Sequence, residues 1–575
     1  MSTFSVPNNQ KQIRQVNRGD TFGELWATFN IDLTSSPRKI KVSKKLSRIL
    51  DETFLNNDDI QSIIVHDGFY YVVTIGQVFK CSADDDPTDS ANWTEIATLG
   101  LEDLGFETDA VSFLGLILIS LGTDIMSWDG STKDDDWWTV TVSGTALTAS
   151  KPHIMHVHRG GQETLFVTDS NKIRYYNATA GHSTITLDDF FTACCVTSGV
   201  SAVWVGTYTE VGDAAYVYEI YVGEQLDSVP VARNAYKVDG RAVLSIEVID
   251  NIPYIVTEKG TVQSFNGAGF SPVAYFPFAY GNNDIEGVRA GLVQDTSISR
   301  PIHPKGMKPR NRSLLIAINT EEGVAGSDPV DERTPSGVWE FNVDTGVLNH
   351  RQSLTSASTQ YGYQRQRRSG PLFVADNRYT TLLVAGETGL DEIGLFGESD
   401  ETPQGYIITP EIESETVRDT FEKAVIKART LAEDERIVLK YMTEKDVNFP
   451  QYNDIVWLNA TQFNTTDTSF ANVSVGDEIE ITEGYRAGYI AHITDIEGTT
   501  TRTVTISESI GLLNETSRVR VLNWTLIDQE YITADGEVKS IGVGEPKAWI
   551  KYKVQMTGDI ELRQFISKGN SKEEL

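Results

Sequence analysis

A short phrase recurs along this chain: a polar turn, a short alternating strand, an aromatic residue and an Asn/Asp-rich turn. It reads "GTDIMSWDG" at Gly122–Gly130, "NKIRYYNAT" at Asn171–Thr179, "GTVQSFNGA" at Gly260–Ala268 and "SGVWEFNVDTG" at Ser336–Gly346. Around each copy lie an apolar strand, a Gly/Asn turn, the alternating strand and then a fourth strand. Taking the residue after each turn aromatic as a marker (Lys80, Asp129, Tyr176, Val222, Asn266, Asn342, Phe396), the gaps are 49, 47, 46, 44, 76 and 54. A four-stranded unit repeated every ~40–50 residues cannot bury both its faces alone, and stacking such units around an axis is the β-propeller solution. The expected fold is therefore all-β, with a β-propeller of about seven blades over residues 59–398. Six or eight blades also fit the spacing. The long gap carries a His/Pro/Arg-rich insert at 281–312 and a loop at 321–335. The recurring aromatic is expected to pack between neighbouring blades.

Propellers close by pairing strands from the two ends of the domain. Residues 1–58 hold strand-like alternation in "ELWATFNIDLT" and "RKIKVSK" but no blade of their own. They are read as an arm and ring-closing strands that complete the last blade or extend onto a neighbour. After Gly397 the pattern changes. An acidic linker, "ESDETPQ", leads to longer alternating strands in "GYIITPEIE", "EKAVIKARTL" and "RIVLKYMTE", and such strands resume in "KAWIKYKVQMTG" and "IELRQFISKG". This predicts a β-sandwich from 399–445 plus 524–575. Residues 446–523, with short strands and Gly turns, read as a small β-barrel inserted at an exposed loop, where such insertions are tolerated.

At 575 residues the chain is long enough for several cores. Its apolar run "VSFLGLILISLG" is broken by Ser112 and Gly115, so no membrane-spanning segment is expected. The polar start has no signal-peptide core. The three cysteines, Cys81, Cys194 and Cys195, form no disulfide framework and suggest synthesis in a reducing cytosol.

The net charge of −32 argues against wholesale nucleic-acid binding. Yet residues 37–48 hold six basic residues and no acid, and the first 60 residues hold nine basic against seven acidic, so the remainder carries −34. Smaller basic knots lie at 300–312 and 363–368. Arg38, Lys39, Lys41, Lys44, Lys45, Arg48, Arg365, Arg367 and Arg368 are read as candidates for subunit contacts with acidic surface.

Evidence for chemistry is thin. "HIMHVH" places His156 and His158 at i, i+2 on one strand face, where two imidazoles can share a metal. No third ligand is assignable, and histidines packed in or on a blade are the simpler reading. "SADDDPTDSANW" approaches the Asp-box of sialidase-like propellers, but it lacks the glycine, and such boxes are structural turns in any case. Glycoside cleavage needs two carboxylates at a set separation, and 81 acids nominate no pair. "RGD" at 18–20 is a common tripeptide. No phosphate loop, zinc spacing or nucleophile elbow is present. No catalytic residue and no cofactor are expected.

The combination of "RGDTFGELWATFNIDLTSSPRKIKVSKKL", a propeller, and "GYIITPEIE…EKAVIKARTL" with an inserted "VGDEIEITEGYRAGYIAHITDI" resembles structural proteins of tailed bacteriophage virions, of the tail nozzle and minor tail protein kind. The resemblance implies a non-enzymatic virion component, made in the host bacterial cytoplasm and assembled as a ring, hexameric in expectation, at or near the tail channel. Its partners would be other copies, adaptor and fibre proteins, and genomic DNA only in passing. The alternative is a host-surface carbohydrate-binding or carbohydrate-degrading propeller.

Overall fold

In the computed structural model the described residues are 3–5, 27–33, 40–43, 47–50, 54–55, 60–276, 302–318, 337–352, 369–374, 380–443, 452–506, 516–528, 538–540 and 549–570, apart from short stretches inside these ranges. They are almost entirely β. Seven four-stranded antiparallel sheets follow one another, beginning with strands Ile60–His66, Ala110–Phe113, Met155–His158, Thr192–Ser198, Val243–Ile249, Met307–Arg310 and Ser369–Phe373. The first strand of each sheet packs against the first strand of the next, and that of the seventh returns to that of the first. The sheets therefore stand around a common axis, and this part of the chain is a β-propeller.

Local chemistry explains the units. The first two strands of a sheet are joined by tight turns that need left-handed backbone, supplied by Asp67 and Gly68 (φ 47 and 78°) and by Asp250 and Asn251 (φ 50 and 64°). Asp, Asn and Gly tolerate that region at least cost, and such turns match strand twist. The recurring aromatics sit between sheets. Tyr175 of the third sheet is buried in one cluster with Val196 and Tyr218 of the fourth, Phe265 of the fifth meets Trp204 of the fourth at 5.1 Å, and Phe341 of the sixth meets Tyr254 of the fifth at 6.1 Å. Tyr221, by contrast, lies 37% exposed under the Arg233 guanidinium.

The N-terminal segment is divided between two destinations. Strand Ser47–Leu50 is the outer strand of the seventh sheet, with Leu50 opposite Leu390. The chain upstream enters two six-stranded C-terminal sheets. One is ordered Ile31–Asp32, Ile40–Val42, Glu561–Asn570, Thr420–Ala428, Val538–Ser540, with Thr3–Ser5 also on Glu561–Asn570. The other runs Ala27–Phe29, Gln404–Ile408, Trp549–Thr557, Arg436–Thr443, Thr525–Asp528, with Ile412–Glu413 beside Trp549–Thr557. Apolar side chains of both sheets form one core, including Ile31, Ile40, Ile407, Ile426, Leu439, Val554 and Phe565. Between Thr443 and Thr525 six strands close a barrel around Trp457, Phe463 and Phe470.

The N-terminal segment also ties these sheets to the propeller. Asn349 Nδ2 donates to Ile31 O at 2.6 Å, and Asn30 N donates to His350 Nδ1 at 3.1 Å. Arg351 pairs with Glu340 and, at 3.7 Å, with Asp32. All three residues belong to Val347–Gln352, the outer strand of the sixth sheet, which is buried.

Candidate functional site at the propeller axis

The first strands of the sheets stand around the axis, and several of their polar side chains bond from sheet to sheet there. The central node is Asp109, just before the first strand of the second sheet, whose side chain is wholly buried. Its Oδ1 accepts from Ala110 N at 2.7 Å and from Ser62 Oγ of the first sheet at 3.1 Å. Its Oδ2 accepts from Met155 N of the third sheet at 2.7 Å. Lys305, at the entry to the sixth sheet, places Nζ 2.5 Å from Asp109 Oδ1 and donates to Ala110 O at 3.0 Å. The second and sixth sheets are not neighbours in the ring, so Lys305 crosses its interior. One carboxylate thus buttons four sheets together.

Further bonds continue the circuit. His66 Nδ1 lies 2.8 Å from Ser112 Oγ, joining the first and second sheets, and His156 Nε2 lies 2.7 Å from Ser198 Oγ, joining the third and fourth. Glu247 of the fifth sheet accepts from Thr197 Oγ1 at 2.9 Å and pairs with Lys308 Nζ at 3.0 Å, tying the fourth, fifth and sixth. Leu372 N of the seventh donates to Lys305 O at 3.0 Å. Buried charges are costly unless paired and hydrogen-bonded, and these are both. Burial nevertheless pushes the Lys305 ammonium below its ordinary pKa, with Asp109 pulling the other way.

The Ser198–His156 contact has the reach of a nucleophile and its base. Its electrostatics oppose that use. Desolvation, then Lys308 and Lys305, lower the His156 pKa to about 3. An imidazole so reluctant to take a proton is a weak base near neutrality, where a general base needs a pKa close to the working pH. The pair suits a structural tie between sheets. It carries a pH signature: the unfolded chain takes up the His156 proton near pH 6.5, whereas the folded chain does so near 3. Stability from this group is therefore complete above about pH 6.5 and is lost as pH falls toward 3, by at most about 5 kcal/mol. Replacing His156 by Gln should flatten the acid side of a stability–pH curve relative to wild type. Parallel curves for the two proteins would refute the assignment.

His158 does not join His156 on a shared ligand. It is buried against Gly160, where an added Cβ would lie 2.6 Å from His158 Nε2. His153 lies between two carbonyls, with Nδ1 2.8 Å from Thr168 O and Nε2 3.1 Å from Thr148 O. Among the described residues no three His, Cys, Asp or Glu side chains converge as a metal site. The cysteines are buried and free, and burial with Asp85 and Asp86 raises the Cys81 thiol to about 12. The near-Asp-box stretch is a packed turn: Trp93 is buried and its Nε1 donates to Pro87 O at 2.9 Å.

Of the basic candidates, Lys41 pairs with Glu561 of the same chain at 3.0 Å. Arg48 lies in the ring-closing strand. Arg38, Lys39, Lys44, Lys45, Arg365, Arg367 and Arg368 lie outside the described residues. In the 300–312 knot, Lys305 and Lys308 are spent at the axis, and Arg312 bridges Asp250 and Asp344 on the surface. Sequence reasoning marked this knot as basic but missed its partners Asp109 and Glu247. Single acids beside apolar strands look like any other strand-end residue.

Among the described residues no helix is long and apolar enough to cross a membrane. No family model and no curated protein matches the chain. Among solved structures it is similar to a virginiamycin B lyase from Staphylococcus aureus (10% identity, 61% of this chain and 99% of that one, TM-score 0.39). It is also similar to the WD40 β-propeller domain of Doa1 (10%, 61% and 96%, TM-score 0.33) and to the Neurospora crassa Pan2 WD40 domain (8%, 59% and 90%, TM-score 0.35).

Proposed function

We propose that this protein is a non-enzymatic structural component of a bacteriophage tail, assembling as a ring at or near the channel and supporting genome delivery and host attachment. Its units would be a seven-bladed propeller, a β-sandwich and a barrel inserted in the sandwich. The observation that carries this reading is the interlock: the segment 27–50 supplies strands to both C-terminal sheets and to the seventh propeller sheet, and bonds to the sixth as well. A chain stitched at both ends resists being pulled apart, as a load-bearing part must. The axis supports it too, because Lys305 lies across the interior. DNA would then pass through a lumen formed between copies, not through any one propeller. A chain carrying −32 suits a wall that phosphates do not adhere to, since each phosphate neutralised by a cation adds a salt-dependent affinity term.

Mass photometry of the purified full chain, together with gold-labelled antibody on intact particles, tests the reading. Ring-sized species and labelled tails are expected. A chain that stays monomeric at micromolar concentration and releases sugar from a host polysaccharide would replace this reading by the carbohydrate-active alternative.

A further inference from the structure

Among the ion pairs that bridge the sheets, Lys305 and Asp109 are placed for more than charge pairing. The Asp109 side chain is wholly buried, while Lys305 keeps 17% of its side-chain surface exposed. Lys305 Nζ lies 2.5 Å from Asp109 Oδ1. A carboxyl C–O bond spans about 1.2 Å, so Nζ stands no more than about 3.7 Å from Asp109 Cγ. Atoms held about 3–3.5 Å apart in a fixed frame are close to attack geometry, and fixing them removes much of the entropic barrier to their reaction.

The carboxyl is held as an acyl group under attack would need to be. Met155 N–H donates to Oδ2 at 2.7 Å, and Ala110 N–H and Ser62 Oγ–H donate to Oδ1 at 2.7 and 3.1 Å. Donors at these distances stabilise the negative charge that gathers on a carboxyl oxygen during addition. Lys305 meets the other requirement. Burial displaces its ammonium pKa downward against the pull of Asp109, with Lys308 adding to the displacement. That direction favours the free amine, which is the nucleophilic form.

We infer that an amide bond joins Lys305 Nζ to Asp109 Cγ in the folded protein, formed by the two side chains themselves. The step balances within the pair. Nζ passes one proton to Oδ1, and the resulting amine adds to Cγ while charge gathers on Oδ2 against Met155 N–H. Nζ then gives Oδ1 a second proton, the Cγ–Oδ1 bond breaks, and water leaves past the exposed side of Lys305. Of the three ammonium protons two depart in that water and one stays on the amide. The product suits the same neighbours: its N–H faces Ala110 O, 3.0 Å from Nζ, and its C=O keeps Met155 N–H. The second and sixth sheets are then riveted across the ring, and residues 109–305 form a loop that cannot be pulled open.

Other paired lysines are less suited. Glu247 and Lys308 are 13% and 31% exposed, so water solvates both charges. Lys553, paired with Glu478, places Nζ 4.7 Å from the Tyr406 ring centre and 5.8 Å from that of Trp524, and aromatic faces favour ammonium over amine.

Mass spectrometry of the purified full chain under denaturing conditions is the test. The major wild-type species should be one water lighter than its sequence requires, and protease digestion should release a branched peptide holding both Asp109 and Lys305. Lys305→Arg, which keeps the cation without a primary amine, and Asp109→Ala should each restore the full sequence mass, whereas Lys308→Met should keep the link. The wild-type branched peptide decides the matter however the variants fold. A wild-type chain of full sequence mass, or a water loss mapped to any other site, would overturn the inference and leave Lys305 and Asp109 as an ion pair.

Discussion

A chain lacking residues 1–46 should fail to fold its C-terminal sheets, whereas one lacking only 1–26 should retain them. The shorter deletion removes, among the described residues, only strand Thr3–Ser5 at the side of Glu561–Asn570. The longer one also removes Ile31, Leu33, Ile40 and Val42, all buried in the core shared by the two sheets. Burying each such side chain is worth roughly 1.5–3 kcal/mol. Four of them sum to about 6–12 kcal/mol, comparable to the roughly 5–15 kcal/mol that holds a whole domain folded. The deletion also bares the edges of strands Gln404–Ile408 and Glu561–Asn570, and unpaired edges invite aggregation. Soluble yield and protease resistance of the region after residue 404 would report this. Wild-type resistance in the longer deletion would mean that the N-terminal strands decorate the sheets without completing them.

The second large effect is expected at the axis. Lys305→Met should lower propeller stability by about 3–5 kcal/mol, because Asp109 is left as a buried, uncompensated carboxylate. Asp109 has no exposed surface in which to rehydrate. Asp109→Asn should be milder. It keeps an acceptor for the Ala110 or Met155 amide and loses only the charge that Lys305, itself partly solvated, was answering. The double variant Lys305→Met/Asp109→Asn should recover part of the loss, and that coupling separates a true pair from two independent sites. Urea midpoints of the propeller transition, followed by tryptophan fluorescence, give the comparison. Additive losses would show that the cross-ring contact is incidental.

Both expectations concern contacts between residues far apart in the chain, and this marks where sequence reading stops. The four-stranded repeat was legible because hairpins are local. A turn such as Asp67–Gly68 and the strands on either side of it occupy the fifteen consecutive residues Ile60–Thr74, so their spacing and turn chemistry are written in order. The recurring aromatic was legible from its place in each copy of the repeat, although its partner is less local: Phe265 meets Trp204 and Phe341 meets Tyr254, each on the preceding sheet. The inserted barrel was legible from the shift to short Gly-bounded strands.

The destination of the N-terminal strands was not legible. Ala27–Phe29 and Ser47–Leu50 are both short strands, yet one pairs with Gln404–Ile408 and the other with Gly389–Gly394. Which open edge a strand joins depends on where edges are left free once everything else has folded. Nor did charge counting distinguish Lys305, which crosses the ring to Asp109, from Arg312, which lies on the surface among Asp250 and Asp344. A basic residue carries the same charge in either place. Its role depends on local solvation and on which carboxylate the tertiary structure brings within reach, and for Lys305 that carboxylate lies nearly two hundred residues away.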